Sequence, residues 1–397
     1  MSRVAICSAV RTPIGRFLGA FQDLSAADLG VAAVRPALER AGVDPSAVGE
    51  VFVGNGRQAG GGPNVARQIA VRAGLPVTVP ATTVNMACGS GLKAIMLGAD
   101  AIRLGRSDVV VAAGTESMSG LPFMLPRMRQ GYRLGHAPVV DGMYKDGFMC
   151  PLADMLMGET AEKLAQDLGI SRDEQDRFAL ESQARADAAI RAGRFADELV
   201  PVTVSGRKGD VVVTADEHPR GDTTLASLAK LPPVFAAKGT TGTVTAGNAS
   251  GITDGAAAVV LASGPAVVRL GLTPLAWLGE ARQGGVAPEV MGLGPVPAFQ
   301  SLEAANGMAL AEYDLVELNE AFAAQVIACD RTLGFDAERL NVNGGSIALG
   351  HPIGATGVRI VVTLLHELKR RDAMHGLATL CISGGMGLAA HFHRDGL

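Results

Sequence analysis

The chain has 397 residues, of which 48% are hydrophobic, 4% aromatic and 19% charged, with 51 glycines and a net charge of −4. That length holds two or three domains around a large core, and the balance suits an Ala/Gly/Val-rich α/β protein with close helix–sheet packing. No lysine or arginine block stands out beyond the short KRR at 369–371, read as the polar end of a helix, so a general nucleic-acid surface is excluded.

Five cysteines (Cys7, Cys88, Cys150, Cys329 and Cys381) form an odd set without metal-ligand spacing, which argues against a disulfide framework and a metal site. The apolar run before Arg11 is seven residues, too short for a signal peptide, and no run of 18 apolar residues marks a membrane span. A cytoplasmic protein is expected.

In chain order, VAICSAV (4–10) reads as a buried strand, followed by an arm and a helix near 26–41 stopped by Gly42. EVFVGNGRQ (50–58) is a strand running into a glycine turn, and NVARQIAVRAG (64–74) a helix. The apolar run 77–84 is a strand that ends just before Cys88. Leu92, Ile95, Met96, Ala99 and Ile102 then recur at helical spacing. Cys88 therefore lies at a strand-to-helix turn, where backbone N–H groups and the helix dipole are expected to favour its thiolate. DVVVAAGTESMS (108–119) is the next apolar strand, and this alternation predicts a mostly parallel sheet.

From residue 120 the texture changes to methionine-rich chain without a clear period, read as an extension over the body of the protein. A charged helix starts near Glu159, and another follows with Ser171 and Glu174 as a capping box; residues 200–220 look like a hairpin. GTVTAGNASGITDGAAAVVLAS (242–263) returns to the first texture as a turn and then an apolar helix or strand. A strand near 274–285, a helix near 297–306, a strand 314–321, a helix 321–334, a Gly-rich segment 343–357, a helix 357–371 and a strand 376–385 complete the chain. NMACGS (85–90) and NVNGGS (341–346) form a faint repeat, each followed by a helix and an apolar strand, which places Cys88 and the C-terminal loops at a shared cleft.

Three further segments put reactive groups in glycine-flanked strand exits. Asn319 closes the strand DLVEL; His351 sits among glycines (344–357) that no packed helix is expected to tolerate; and Cys381 leaves a strand into glycines. Taken singly, Cys88 and Cys381 read as small buried hydrophobes, His351 as a structural hydrogen-bonder and Asn319 as a helix cap. Taken together, they suit nucleophilic catalysis with a separate acid/base.

VNMACGSGLKA, NEAFA, NVNGGSIALGHPIGATG and CISGGMG resemble, in order and spacing, the signature segments of the thiolases, and MGETAEKLA and TAGNASGITDGAAA extend the likeness over essentially the whole chain. The resemblance implies a five-layered αβαβα fold of two similar halves, 1–119 with 247–272 and 273–397, with a loop domain inserted at 120–246. It also implies a homodimer, or a homotetramer built as a dimer of dimers through a projection at about 119–140. The implied reaction is that of the acetoacetyl-CoA branch: reversible Claisen condensation of two acetyl-CoA to acetoacetyl-CoA and CoA through an acyl-cysteine. Coenzyme A and acyl-CoA enter as substrates, with no tightly bound cofactor and no metal.

By the same likeness Cys88 is the nucleophile, and His351 activates it. His351 and a water held by Asn319 stabilise the enolate oxygen. Cys381, with a depressed pKa, exchanges the proton of the acetyl methyl. The backbone N–H groups of Cys88 and Ser383 form the second oxyanion hole. For coenzyme A the matching positions are Arg220 at the nucleotide phosphates, Ser227, Leu231 and Phe235 along the adenine, and Ala246, Ser250, Met157, Phe148, Met291 and Phe322 along the pantetheine tunnel. Two positions depart from the pattern: Leu156 stands where short-chain members often have histidine, and Ser383 where many have glycine.

Three other readings stay open. One is a degradative 3-ketoacyl-CoA thiolase of fatty-acid β-oxidation, and another a non-catalytic acyl-CoA or lipid-binding relative. The third, a decarboxylating ketosynthase, resembles a Cys-His-His set, whereas Asn319 takes the place of one histidine here.

Overall fold

In the computed structural model, which describes residues 2–207, 209–236 and 241–396, the sequence alternates as its apolar pattern requires. The first half comprises β1 (Val4–Arg11), α1 (Ala26–Ala41), β2 (Glu50–Gly54), α2 (Val65–Arg72), β3 (Ala81–Val84), α3 (Ser90–Arg103) and β4 (Val109–Glu116). An excursion carrying α4 (Met157–Asp167) and α5 (Arg172–Arg191) precedes β5 (Thr253–Ser263). The second half contains β6 (Ala276–Gly285), α6 (Pro295–Asn306), β7 (Leu315–Leu318), α7 (Ala323–Leu333), α8 (Ile353–Arg371), β8 (His375–Ile382) and β9 (Met386–His393). Helix ends follow local chemistry. Ser25 and Asp28 form a capping box on α1, Gly42 closes it in the left-handed conformation, and Ser171 and Glu174 form the box on α5.

The hydrogen-bonded strand order is β7-β8-β9-β6-β1-β5-β4-β2-β3. The first half reads β3-β2-β4-β5-β1. The second repeats it as β7-β8-β9-β6, with Leu340 bridging β7 in the place of β3. The halves meet where β1 pairs antiparallel with β6, from Val4 opposite Leu278 to Ile6 opposite Ala276.

Side chains alternate across each strand, and this alternation creates the layers. Ala5 and Cys7 of β1 face one core with α1 and α2, whereas Val4 and Ile6 face a second core containing α3 and α8. Ala378, Leu380 and Ile382 of β8 close that inner core from the other half, and Leu377 faces a third core with α6 and α7. The result is five layers, with α3 and α8 in the middle, as the family resemblance implied.

Several expectations are corrected. The sheet is mixed: β2–β3, β2–β4 and β7–β8 pair parallel, while the pairs built from β1, β5, β6 and β9 are antiparallel. Parallel pairing needs a crossover connection, and each of those three pairs has a helix on its connection. The strand expected at 77–84 begins at Ala81, after a turn from Pro76 to Val79 and the N–H-less Pro80. A final strand, β9, follows β8 through a tight turn at 383–385, where the sequence reading ended the chain's structure at 385. Finally, α8 starts at Ile353 rather than 357, and its glycines are packed inside it. A Cβ on Gly357 would lie 2.3 Å from the Leu92 amide nitrogen, and one on Gly354 would lie 2.5 Å from the Thr115 carbonyl. Glycine lets α8 press against α3 and β4, so backbone approach rather than a loop explains it.

Residues 117–252 occupy the place between β4 and β5 that a three-residue turn fills between β8 and β9. Buried Arg11 of β1 ties this excursion to the body through Glu198 and Asp216. No helix among the described residues is long and apolar enough to cross a membrane.

Candidate active site

Cys88 lies two residues before the first residue of α3 in a turn held from several sides. Ala87 has a left-handed backbone (φ 45°), a conformation that costs a residue with a Cβ about 1–3 kcal/mol. Its surroundings enforce it. The Ala87 N–H donates to Asn85 Oδ1 at 3.0 Å, and Ser90 Oγ accepts from the Met86 N–H at 2.9 Å while donating to the Ala87 carbonyl at 2.6 Å. Gly89 carries no Cβ because the end of β8 comes too close, with Ile382 Cδ1 2.5 Å from where it would lie. That contact sets the Cys381–Ser383 turn against the Cys88 turn.

The second half supplies the remaining groups from two strand ends and a break between helices. Cys381 is buried near the end of β8. In the turn after it the left-handed backbone falls on Gly384 (φ 89°) and Gly385 (φ 88°), not on Ser383, so serine is tolerated there. The Ser383 N–H and the N–H of Cys88 itself face the Cys88 sulfur. His351 sits in a break between the short helix Ser346–Leu349 and α8, its N–H donating to the Gly251 carbonyl at 3.1 Å. Asn319, just past β7, is fully buried.

Cys88, His351, Cys381 and Ser383 line one cavity of about 510 Å³. Arg220, Phe235, Ala246, Ser250, Met157, Phe148, Met291 and Phe322 line it too, as does Leu156, which makes that part of the wall apolar. Phe235 packs edge-on against Phe322 with ring centroids 6.4 Å apart. Three expected residues are not on this wall. Asn319 is fully buried away from it, Ser227 is exposed on the short helix Leu225–Ala229, and Leu231 follows that helix.

Electrostatics reverse the expectation for both thiols. Cys88 keeps some exposure through the cavity, yet burial of its sulfur pushes the thiol up. The Arg57 cation and the facing N–H groups oppose this without overcoming it. Cys381 is pushed well above the ordinary thiol range by burial and by the neighbouring Cys88. Desolvation therefore outweighs the turn's N–H groups and dipole, and a base is needed to take the Cys88 proton.

His351 suits that task. Burial, with Arg359 and Arg57 nearby, pushes its imidazole down to about 3, so it is neutral at working pH. Its Nε2 has no protein partner among the described residues, and Nδ1 lies 2.6 Å from Thr356 Oγ1. That hydroxyl also lies 3.0 Å from the Pro352 carbonyl. When the hydroxyl donates to Pro352, the ring proton stays on Nδ1 and Nε2 is a base. When it turns to Nδ1, Nε2 carries the proton and becomes a donor.

Three residues went unremarked in the sequence: Arg57, Glu116 and Thr356. Buried Arg57 lines the cavity and donates from Nη2 to the Gly147 carbonyl at 2.8 Å. It follows the EVFVGNG strand exit, the same signal that marked Cys88. Glu116, at the end of β4, accepts from Asn55 Nδ2 (2.7 Å) and from the N–H groups of Gly56 (3.0 Å), Arg57 (3.0 Å) and Gly354 (2.8 Å). Burial pushes its carboxyl up to about 7 against these donors. It joins two strand exits, those of β2 and β4, and the first turn of α8 at one point.

A buried thiol, a neutral imidazole with a free nitrogen, a second thiol and facing N–H groups can form and discharge a thioester and move a proton at carbon. Two family models match the chain: "Thiolase, N-terminal domain" over residues 4–264 and "Thiolase, C-terminal domain" over 272–394. An acetyl-CoA acetyltransferase from Pseudomonas aeruginosa is 52% identical over 396 residues, covering 100% of both chains. Among solved structures, the Bacillus anthracis acetyl-CoA acetyltransferase superposes with a TM-score of 0.96 at 44% identity, covering 99% of each chain. Human mitochondrial 3-ketoacyl-CoA thiolase does so at 0.95 and 42%, also covering 99% of each.

Proposed function

The chain belongs to the thiolase family, and from that premise we propose that it is an acetyl-CoA C-acetyltransferase. It interconverts two acetyl-CoA with acetoacetyl-CoA and CoA through an acyl-Cys88. The observation that carries the reading is the meeting of Cys88, His351, Cys381 and the Ser383 N–H at one cavity. Full-length identity to acetyl-CoA acetyltransferases supports the short-chain assignment.

In the first half-reaction His351 Nε2 takes the Cys88 proton, and the sulfur attacks the acyl carbonyl. The oxyanion is held by the Cys88 and Ser383 N–H groups, and CoA leaves as the thiol with the proton from His351. Sulfur exchanges for sulfur, so the step is nearly balanced. In the second, Cys381 first gives its proton to solvent and as its thiolate takes a methyl proton from acetyl-CoA; the enolate carbon attacks the Cys88 thioester, whose sulfur leaves with its electron pair and regains a proton from solvent. Once acylated, Cys88 cannot carry the negative charge that would oppose ionisation of Cys381. The enolate oxygen is met by His351 Nε2–H. It is also met by a water on Asn319, whose buried Nδ2 has no protein partner among the described residues.

Coenzyme A is assigned to the groove under the 120–246 insert, with Arg220 toward its phosphates, Phe235 with Ser227 and Leu231 toward the adenine, and Met157, Phe148, Ala246, Ser250, Met291 and Phe322 along the pantetheine. Between the insert and the joined strands, residues 1–119 with 247–272 and 273–397 are taken as the two halves. A cytoplasmic homodimer or homotetramer without a tightly bound cofactor completes the proposal.

A second reading, a 3-ketoacyl-CoA thiolase for longer chains, is favoured by the apolar Leu156 in the cavity wall and by the likeness to the human mitochondrial enzyme. Incubation with acetyl-CoA followed by mass measurement of the Cys88 peptide tests the mechanism. An acetyl adduct on Cys88 is expected, and its absence with substrate turnover would overturn it.

A further inference from the structure

We infer that Ser346 and Arg359 are positioning residues that fix the Asn319 side-chain amide with its NH2 group free. The inference deepens the reading above and rests on the enolate-stabilising role given there to Asn319. Ser346 is fully buried at the start of the short helix Ser346–Leu349. Its Oγ lies 2.9 Å from Arg359 Nη2 and 2.6 Å from Asn319 Oδ1.

The direction of these bonds follows from what each group can do. A guanidinium only donates, so Ser346 Oγ accepts from Arg359. Its own proton then has one acceptor in contact, Asn319 Oδ1. Turning the amide over would set an N–H toward that hydroxyl and leave the serine proton without an acceptor, a buried loss of about 1–3 kcal/mol. Oδ1 is thereby committed, and Nδ2 remains buried without a protein partner among the described residues. Arg359 is held in turn beside Glu317, with Nη1 3.4 Å from Oε2. Asn319, Ser346 and Arg359 come from β7's exit, the one-turn helix and α8, so three elements converge on one amide. Neither Ser346 nor Arg359 lines the cavity, and both act through Asn319.

The test is a double-mutant cycle on the full chain with Ser346→Ala, Asn319→Ala and their combination. Two rates are read: acetylation of Cys88 by acetyl-CoA, and CoA-dependent cleavage of acetoacetyl-CoA. Ser346→Ala is expected to slow cleavage about tenfold, less than the roughly 10²–10³ lost with an oxyanion donor itself, while acetylation stays within about twofold. In the Asn319→Ala background Ser346→Ala is expected to cost nothing more. Ser346→Cys keeps the volume and weakens the donor; it gives an intermediate loss and serves if Ser346→Ala does not fold. A further tenfold loss in the Asn319→Ala background, or equal loss of both rates, would overturn the inference. A wild-type chain that neither acetylates Cys88 nor cleaves acetoacetyl-CoA would reject the functional reading, and the inference with it.

Discussion

The two halves build the same strand order but use equivalent loops differently. In the first half the turn after β3 enters α3 directly, and its product is a cysteine on a constrained backbone. In the second half the equivalent Gly-Ser enters a single helical turn that breaks at Gly350–Pro352 before α8, and the break delivers His351. Between β8 and β9 a short turn brings Ser383 beside Cys88, whereas the first half opens the same position into the long excursion that walls the cavity. Duplication thus yields one scaffold with divided chemistry. In the proposed mechanism the first half presents the acyl-accepting sulfur, and the second provides the base, the second thiol and the buried amide.

That division predicts unequal losses. Cys88→Ala should abolish both acyl exchange and condensation, by on the order of 10⁴-fold or more. Cys381→Ala should abolish condensation to a similar degree while sparing acyl exchange between thioesters; equal loss of both would erase the distinction between the halves. Asn319→Ala should slow condensation and cleavage by about 10²–10³ with little change in Cys88 acetylation, measured as single-turnover rates. Gly357→Ala should destabilise the fold by about 1–3 kcal/mol in chemical denaturation, because the new methyl meets the Leu92 backbone where the halves pack. An unchanged midpoint would show that α3 and α8 can separate freely.

The smallest effect concerns pH. Burial raises the Cys88 thiol, so the protonated form persists to higher pH than in an exposed cysteine. Alkylation by iodoacetamide should keep rising as pH passes 9 rather than level off below it. Arg57→Gln, which removes the opposing cation, should move the rise further up. A plateau near neutrality would mean that the turn alone ionises the sulfur.

Much of this was legible in the chain because the reactive residues are flanked by glycine at strand exits. Cys88 and Cys381 carry that mark, His351 sits among glycines between two helices, and Asn319 has the strand exit without a flanking glycine. The family segments also run in an order that forces two halves. Thr356, Ser346 and Glu116 were not legible as site residues, since their roles depend on partners far along the chain or on a proton's direction. Glu116, for example, gathers N–H groups from residues 56, 57 and 354. The thiol pKa values ran opposite to expectation because a helix start is visible in sequence and desolvation is not. The glycines of α8 looked like loop residues because close backbone approach leaves no periodic signal. β9 was lost because a strand entered through Gly384, Gly385 and Gly387 lacks the usual bounded apolar run.

The central claim is a two-cysteine site that cleaves and forms acetoacetyl-CoA. CoA-dependent cleavage across 3-ketoacyl-CoA chain lengths, with Cys88→Ala as control, tests it most directly. The expected result is highest kcat/KM on acetoacetyl-CoA and none in the control. Cleavage confined to longer chains would contradict the specificity, and full activity in Cys88→Ala would contradict the mechanism.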